Sequence, residues 1–163
     1  MGAADWAHAR LSVSGLARAQ FGNGMVFLKM DWSHAKAPSL EDFQGLADAA
    51  YGALPEEFRA LCEGLIIHID DFPDEETLDD MECESEFDLL GLFRGRGLAQ
   101  REAMMETGEF PNMIWLYRRP ILDYWAAHDE TLGAIITHVL VHEIGHHFGF
   151  SDEDMEAIEA GVV

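Results

Sequence analysis

Apolar positions recur at helical spacing in two stretches of this chain and cluster in three shorter ones. Phe43, Leu46, Ala47, Ala50 and Leu54 fall on one side of a helical wheel. Ser39, with Asp42 three residues later, marks the start of that helix, and Pro55 interrupts it. A second short helix is expected over Glu56 to Glu63. Leu65 to Ile69, Leu89 to Phe93 and Ile114 to Tyr117 are short β-prone runs, the second bounded by Gly91 and Gly95. Pro120 fits the first turn of a helix through Ala127. The longest helix is predicted from about Glu130 to Phe148. Its apolar arc comprises Leu132, Ile135, Ile136, Val139, Leu140 and Ile144, and His142 and His146 fall at the edge of that arc.

Length and composition narrow the class. A chain of 163 residues has room for one domain with a true core. No stretch approaches the roughly eighteen apolar residues of a membrane helix, and no secretory signal is visible at the N-terminus. The two cysteines, Cys62 and Cys83, then read as reduced thiols of a cytoplasmic protein. The net charge of −21 disfavours nucleic-acid and anionic membrane partners and would steer basic ones inward. Eleven of the nineteen residues from Asp70 to Asp88 are acidic, which reads as a solvated loop. A sharper reading is that this segment borders a cleft and favours basic peptides. Residues 1–30 carry three basic residues and one acid, against seven and thirty in the remainder, so a boundary is expected near Met30. The first thirty residues are read as a flexible arm, or as the product of a start assigned upstream of Met25 or Met30, with the working domain at 31–163.

The chemistry is concentrated in His142-Glu143-Ile144-Gly145-His146 and the residues after it. Histidines four apart on a helix differ by about 6 Å of rise and 40° of rotation, so both imidazoles can converge on one cation. Glu143 lies on an adjacent part of the wheel, within reach of a water on that cation and placed as a general acid/base. The spacing His142-x3-His146-x2-Gly149-x2-Asp152 is similar to the metzincin pattern, with Asp152 where a third histidine usually stands. Thermolysin-like enzymes take their third ligand from a helix well downstream, and only seventeen residues follow His146. Gly149 would end the helix in a left-handed turn. Asp152 has a second reading, because Ser151-Asp152-Glu153-Asp154 also looks like the cap and acidic first turn of a terminal helix. Glu153 and His138 are the other candidates for the third ligand.

From about Leu40 to Ala160 the chain resembles the small bacterial zincin-like metallopeptidases, the minimal zincins. Leu54-Pro55-Glu56-Glu57-Phe58, Asp70-Asp71-Phe72-Pro73-Asp74-Glu75, Leu89-Leu90-Gly91-Leu92-Phe93, Trp115-Leu116-Tyr117-Arg118-Arg119-Pro120 and the histidine motif through Asp152 carry the likeness. The resemblance implies an α+β fold, with a small mixed β-sheet packed on a long active-site helix and additional helices around them. It implies zinc held by His142, His146 and Asp152, with Glu143 catalytic. Larger metzincins carry a methionine turn far downstream, whereas Met155 is the only methionine after this motif.

These residues point to zinc-assisted hydrolysis of a peptide bond, with a peptide or protein as substrate. An edge strand, with Leu89 to Phe93 the candidate, could hold that substrate in extended form. Tyr117, Tyr124, His138 and His147 are candidates for a second oxyanion donor, each with a structural reading beside it. His68, in an apolar strand, reads as a buried, hydrogen-bonded histidine. Two other functions stay open: a non-catalytic zinc-binding interaction module and a zinc-dependent ribonuclease. The ribonuclease needs a basic RNA-facing surface that this composition does not supply. The oligomeric state is not legible.

Overall fold

The computed structural model describes residues 32–95 and 111–159. Residues 1–31, with the expected arm, lie outside the described residues. After a short 3-10 helix (Trp32–His34) come α1 (Leu40–Ala53), α2 (Glu56–Leu61), β1 (Ile66–Asp70), α3 (Glu75–Asp80), β2 (Gly91–Arg94) and β3 (Met113–Tyr117). The order continues with α4 (Arg118–Ala127), α5 (Leu132–Phe148) and α6 (Asp152–Glu159). Among the described residues no helix is long and apolar enough to cross a membrane.

Local chemistry explains where the helices begin. The Ser39 hydroxyl accepts from the Asp42 N–H at 3.2 Å while Asp42 accepts from the Ser39 N–H at 2.7 Å, a reciprocal capping box at the start of α1. The Ser39 hydroxyl also lies 2.7 Å from Asp42 Oδ2, and donation from it and from the Ser39 N–H holds the Asp42 carboxyl below the usual carboxylate range. Thr131 caps α5 by its side chain alone, accepting from the Ala134 N–H at 3.2 Å.

The sheet is mixed, as expected, with strand order β1-β3-β2. β1 runs parallel to β3 and β2 antiparallel to it, with Gly91 opposite Leu116 and Phe93 opposite Ile114. Ile114 and Leu116 are fully buried, and Ile67, Ile69 and Phe93 pack on the same core. Helix α5 lies against β2 and β3, and α1 packs beside it and against β1. Phe43 and Ala47 of α1 meet Ile135, Ile136, Leu140 and Ile144 of α5 in one continuous apolar cluster. At about 1.5–3 kcal/mol for each large side chain, this burial is the main force holding α5 in place.

Two expectations are corrected. His68 is exposed rather than buried, because strict alternation along β1 turns Ile67 and Ile69 inward and His68 outward. Its ring stacks on Trp115 at 5.5 Å, and the Arg94 guanidinium lies 5.9 Å from the centre of the same indole. The acidic segment is not all loop, since it contains α3. Asp74 accepts from the Thr77 N–H at 2.8 Å, and buried Thr77 in turn accepts from Arg94 Nη2 at 2.8 Å. A short helix anchored by one buried residue leaves little apolar periodicity to detect.

The backbone at Gly149 adopts φ 91°, a conformation that L side chains rarely take, whereas Gly45 is exposed within α1 and has open space around its Cβ position. Gly149→Ala should therefore destabilise the protein by roughly 1–2 kcal/mol, while Gly45→Ala should stabilise it by about 0.5–1 kcal/mol. Urea unfolding of the two variants checks the opposite signs.

Candidate metal centre

Helix α5 ends in a double hydrogen bond that reverses the chain. Phe150 donates to the Gly145 carbonyl at 3.1 Å and Gly149 to that of His146 at 2.9 Å, around the left-handed Gly149. Ser151 then caps α6, accepting from the Asp154 N–H at 3.2 Å and donating its own N–H to Asp154 at 2.9 Å. Asp152 is thus the first residue of α6, and its side chain faces back toward α5. Its Oδ1 lies 3.4 Å from His142 Nε2 and 3.2 Å from His146 Nε2. One ligand atom from each of the three residues falls within 4.8 Å of the others.

The donor set suits a zinc ion. His146 Nδ1 is 2.9 Å from the Phe150 carbonyl, which can only accept, so that nitrogen carries the proton and Nε2 can present its lone pair to a cation. Side-chain exposures of 23% for His142, 27% for His146 and 68% for Asp152 leave the cluster open on one side. Three converging donors with an open side would suit a catalytic zinc rather than a closed structural one.

Glu143 points in a different direction from the adjacent His142 and is only 7% exposed. It lies beneath β2, where a Cβ added to Gly91 would stand 2.7 Å from Val139 Cγ1 and 3.0 Å from Glu143 Oε1. Burial pushes the Glu143 carboxyl up to about 8; the Phe93 backbone N–H opposes that shift and the negative charge of Asp152 adds to it. A carboxyl in this range can both accept and return a proton near neutral pH.

The other candidates separate. His147 is buried, with Nε2 3.2 Å from the Leu61 carbonyl and its ring against Phe93, so it ties the end of α5 to α2 and β2. Tyr117 is buried against Thr77 and Arg94, and burial pushes its phenol up to about 12. Tyr124 stacks on His128 at 3.8 Å, and the His138 ring lies 6.5 Å from that of His142. Cys62 and Cys83 are both free thiols.

The profile of the zincin-like metallopeptidase family matches residues 62–162. The chain belongs to that family. Comparison with curated proteins found no match. The matched span includes the whole sheet, α5 and the residues of α6 that carry Asp152, and the mixed α/β architecture agrees with a small zincin fold. In this zincin α1 precedes the matched span yet supplies Phe43 and Ala47 to the core behind the histidine helix.

Two features of the zincin site were not anticipated from sequence: the close passage of β2 over Glu143 and the carbonyl of Phe150 on His146. Gly91 was read as a strand boundary and is the first residue of β2; the sequence did not show which side chains it approaches. A glycine inside a β-prone run is the signal for a close backbone approach. Gly91→Ala should cost about 1–3 kcal/mol, because the new methyl must displace Val139, Glu143 or the strand itself. Thermal unfolding checks the loss, with the exposed Gly45→Ala as a substitution of the same kind that should not cause it.

Proposed function

We propose that this protein is a zinc-dependent peptidase, with His142, His146 and Asp152 as metal ligands and Glu143 as general acid/base. The observation that carries the reading is the convergence of three donor atoms beside a buried carboxyl on the same helix. When bound, zinc supplies Lewis acidity and lowers the pKa of its water from about 15.7 toward roughly 7. Glu143 accepts a proton from the attacking water and later delivers it to the leaving amine. The His146 Nδ1 contact with Phe150 keeps that ring oriented through the cycle.

Substrate placement follows from the register of β2. The Tyr117 N–H bonds the Leu90 carbonyl at 2.9 Å, so in this antiparallel pair Leu90, Leu92 and Arg94 direct their backbone groups toward β3. Gly91 and Phe93 direct theirs to the outer edge of the described sheet, where the Phe93 N–H already meets the Glu143 carboxyl. An extended peptide can add to that edge through the Gly91 backbone and the Phe93 carbonyl, which supports a peptide substrate. The high net negative charge favours basic peptides by long-range attraction.

Metal analysis of purified protein should find one zinc per chain, with loss in His142→Ala and His146→Ala. Glu143→Gln should retain zinc and lose peptide hydrolysis by roughly 10²-fold or more. Asp152→Ala should weaken zinc binding first and activity as a consequence. Mass-spectrometric profiling of a peptide library with the parent and Glu143→Gln checks the reaction. Parental hydrolysis by Glu143→Gln would rule out the mechanism, and full zinc occupancy in both histidine variants would rule out the ligand set.

A further inference from the structure

Helix α6 carries Asp152, and its described side chains are those of residues 152–155. Asp152, Glu153 and Asp154 are all exposed, and among the described side chains of α6 only Met155 is buried, at 4%. Met155 stands three residues after Asp152, so the two share a face of the helix. Its thioether lies against Gly145, the residue three after His142 and immediately before His146. A Cβ at Gly145 would stand 3.3 Å from Met155 Cγ, 2.9 Å from Cε and closer still to Sδ. Glycine inside a helix costs about 1 kcal/mol relative to alanine, so local propensity argues against it at this place. What it supplies here is the space the sulfur occupies.

We propose that Gly145 and Met155 form a fitted contact that positions Asp152 over the two histidines, an inference that rests on the metal-site reading above. Both are positioning residues: neither has a donor atom in the cluster, and each acts through the placement of α6 on α5. The unbranched, adaptable methionine side chain fills the notch left by the glycine. Movement of α6 by an ångström or so would open the Oδ1 to Nε2 separations of 3.2 and 3.4 Å on which joint ligation depends.

The test is zinc affinity, measured by competition with a fluorescent chelator, across Gly145→Ala, Met155→Ala and their combinations with each other and with Asp152→Ala. Circular dichroism verifies folding of each variant. Gly145→Ala should reduce affinity about 10- to 100-fold, the range seen when residues that orient a metal ligand are changed. Met155→Ala alone should also reduce it, and added to Gly145→Ala it should recover much of the loss, because it vacates the space the new methyl needs. In the Asp152→Ala background, Gly145→Ala should have little further effect. Parental affinity in both single variants, or an equal loss from Gly145→Ala with and without Asp152, would overturn the proposal. A parent protein that takes up no zinc would instead overturn the metal-site reading, and this inference with it.

Discussion

Burial of α5 constrains the rest of the molecule. Its apolar arc must meet β2 and β3 as well as Phe43 and Ala47 of α1, which removes its freedom to rotate about its own axis. Once that rotation is set, the 3.6-residue period sends His142 and His146 to the solvent edge and Glu143 under β2. One helix thereby presents two imidazoles at its solvent edge and, next to the first, a buried carboxyl. The separation suits the proposed chemistry, since metal ligands need an open side while the carboxyl needs a dry one.

The second constraint is the turn after α5. Gly149 reverses the chain within a few residues, and the hydrogen bonds to Gly145 and His146 use carbonyls that the helix end would otherwise leave unpaired. The Phe150 carbonyl produced by that turn orients His146, and the capped start of α6 returns Asp152 to the histidines. Three carboxylates in the first turn of α6 favour its N-terminal dipole, and the charge of Asp152 adds to the upward push on the buried Glu143 carboxyl. A divalent cation held there would offset that negative charge, so the local electrostatics and the donor geometry point in the same direction.

Much of this was legible in order along the chain. The Ser39 and Asp42 pair located α1, the apolar arc located α5, and the spacing of His142, His146 and Asp152 located the cluster. The two readings of Asp152, ligand and first-turn acid, are compatible in the structure because the first residue of α6 is also the residue facing the imidazoles. Features set by nonlocal packing were not legible. His68 was misread because hydrophobic neighbours do not reveal which of the two faces of a strand is covered, and α3 was hidden because one buried threonine stabilises it.

Sequence by itself determined the elements whose signal is local and periodic: two capped helices, three short strands, a left-handed glycine stop and the ligand spacing. These depend on hydrogen bonds and side-chain repeats within a few residues, which the local order of residues encodes directly. Only the tertiary structure decided that β2, at the edge of the described sheet, lies over Glu143, that His147 faces Leu61, and that Met155 fits against Gly145. Those contacts join residues that are distant in sequence or on different helices. They follow from which surfaces the core brings together, a choice made by the whole chain and by no segment alone.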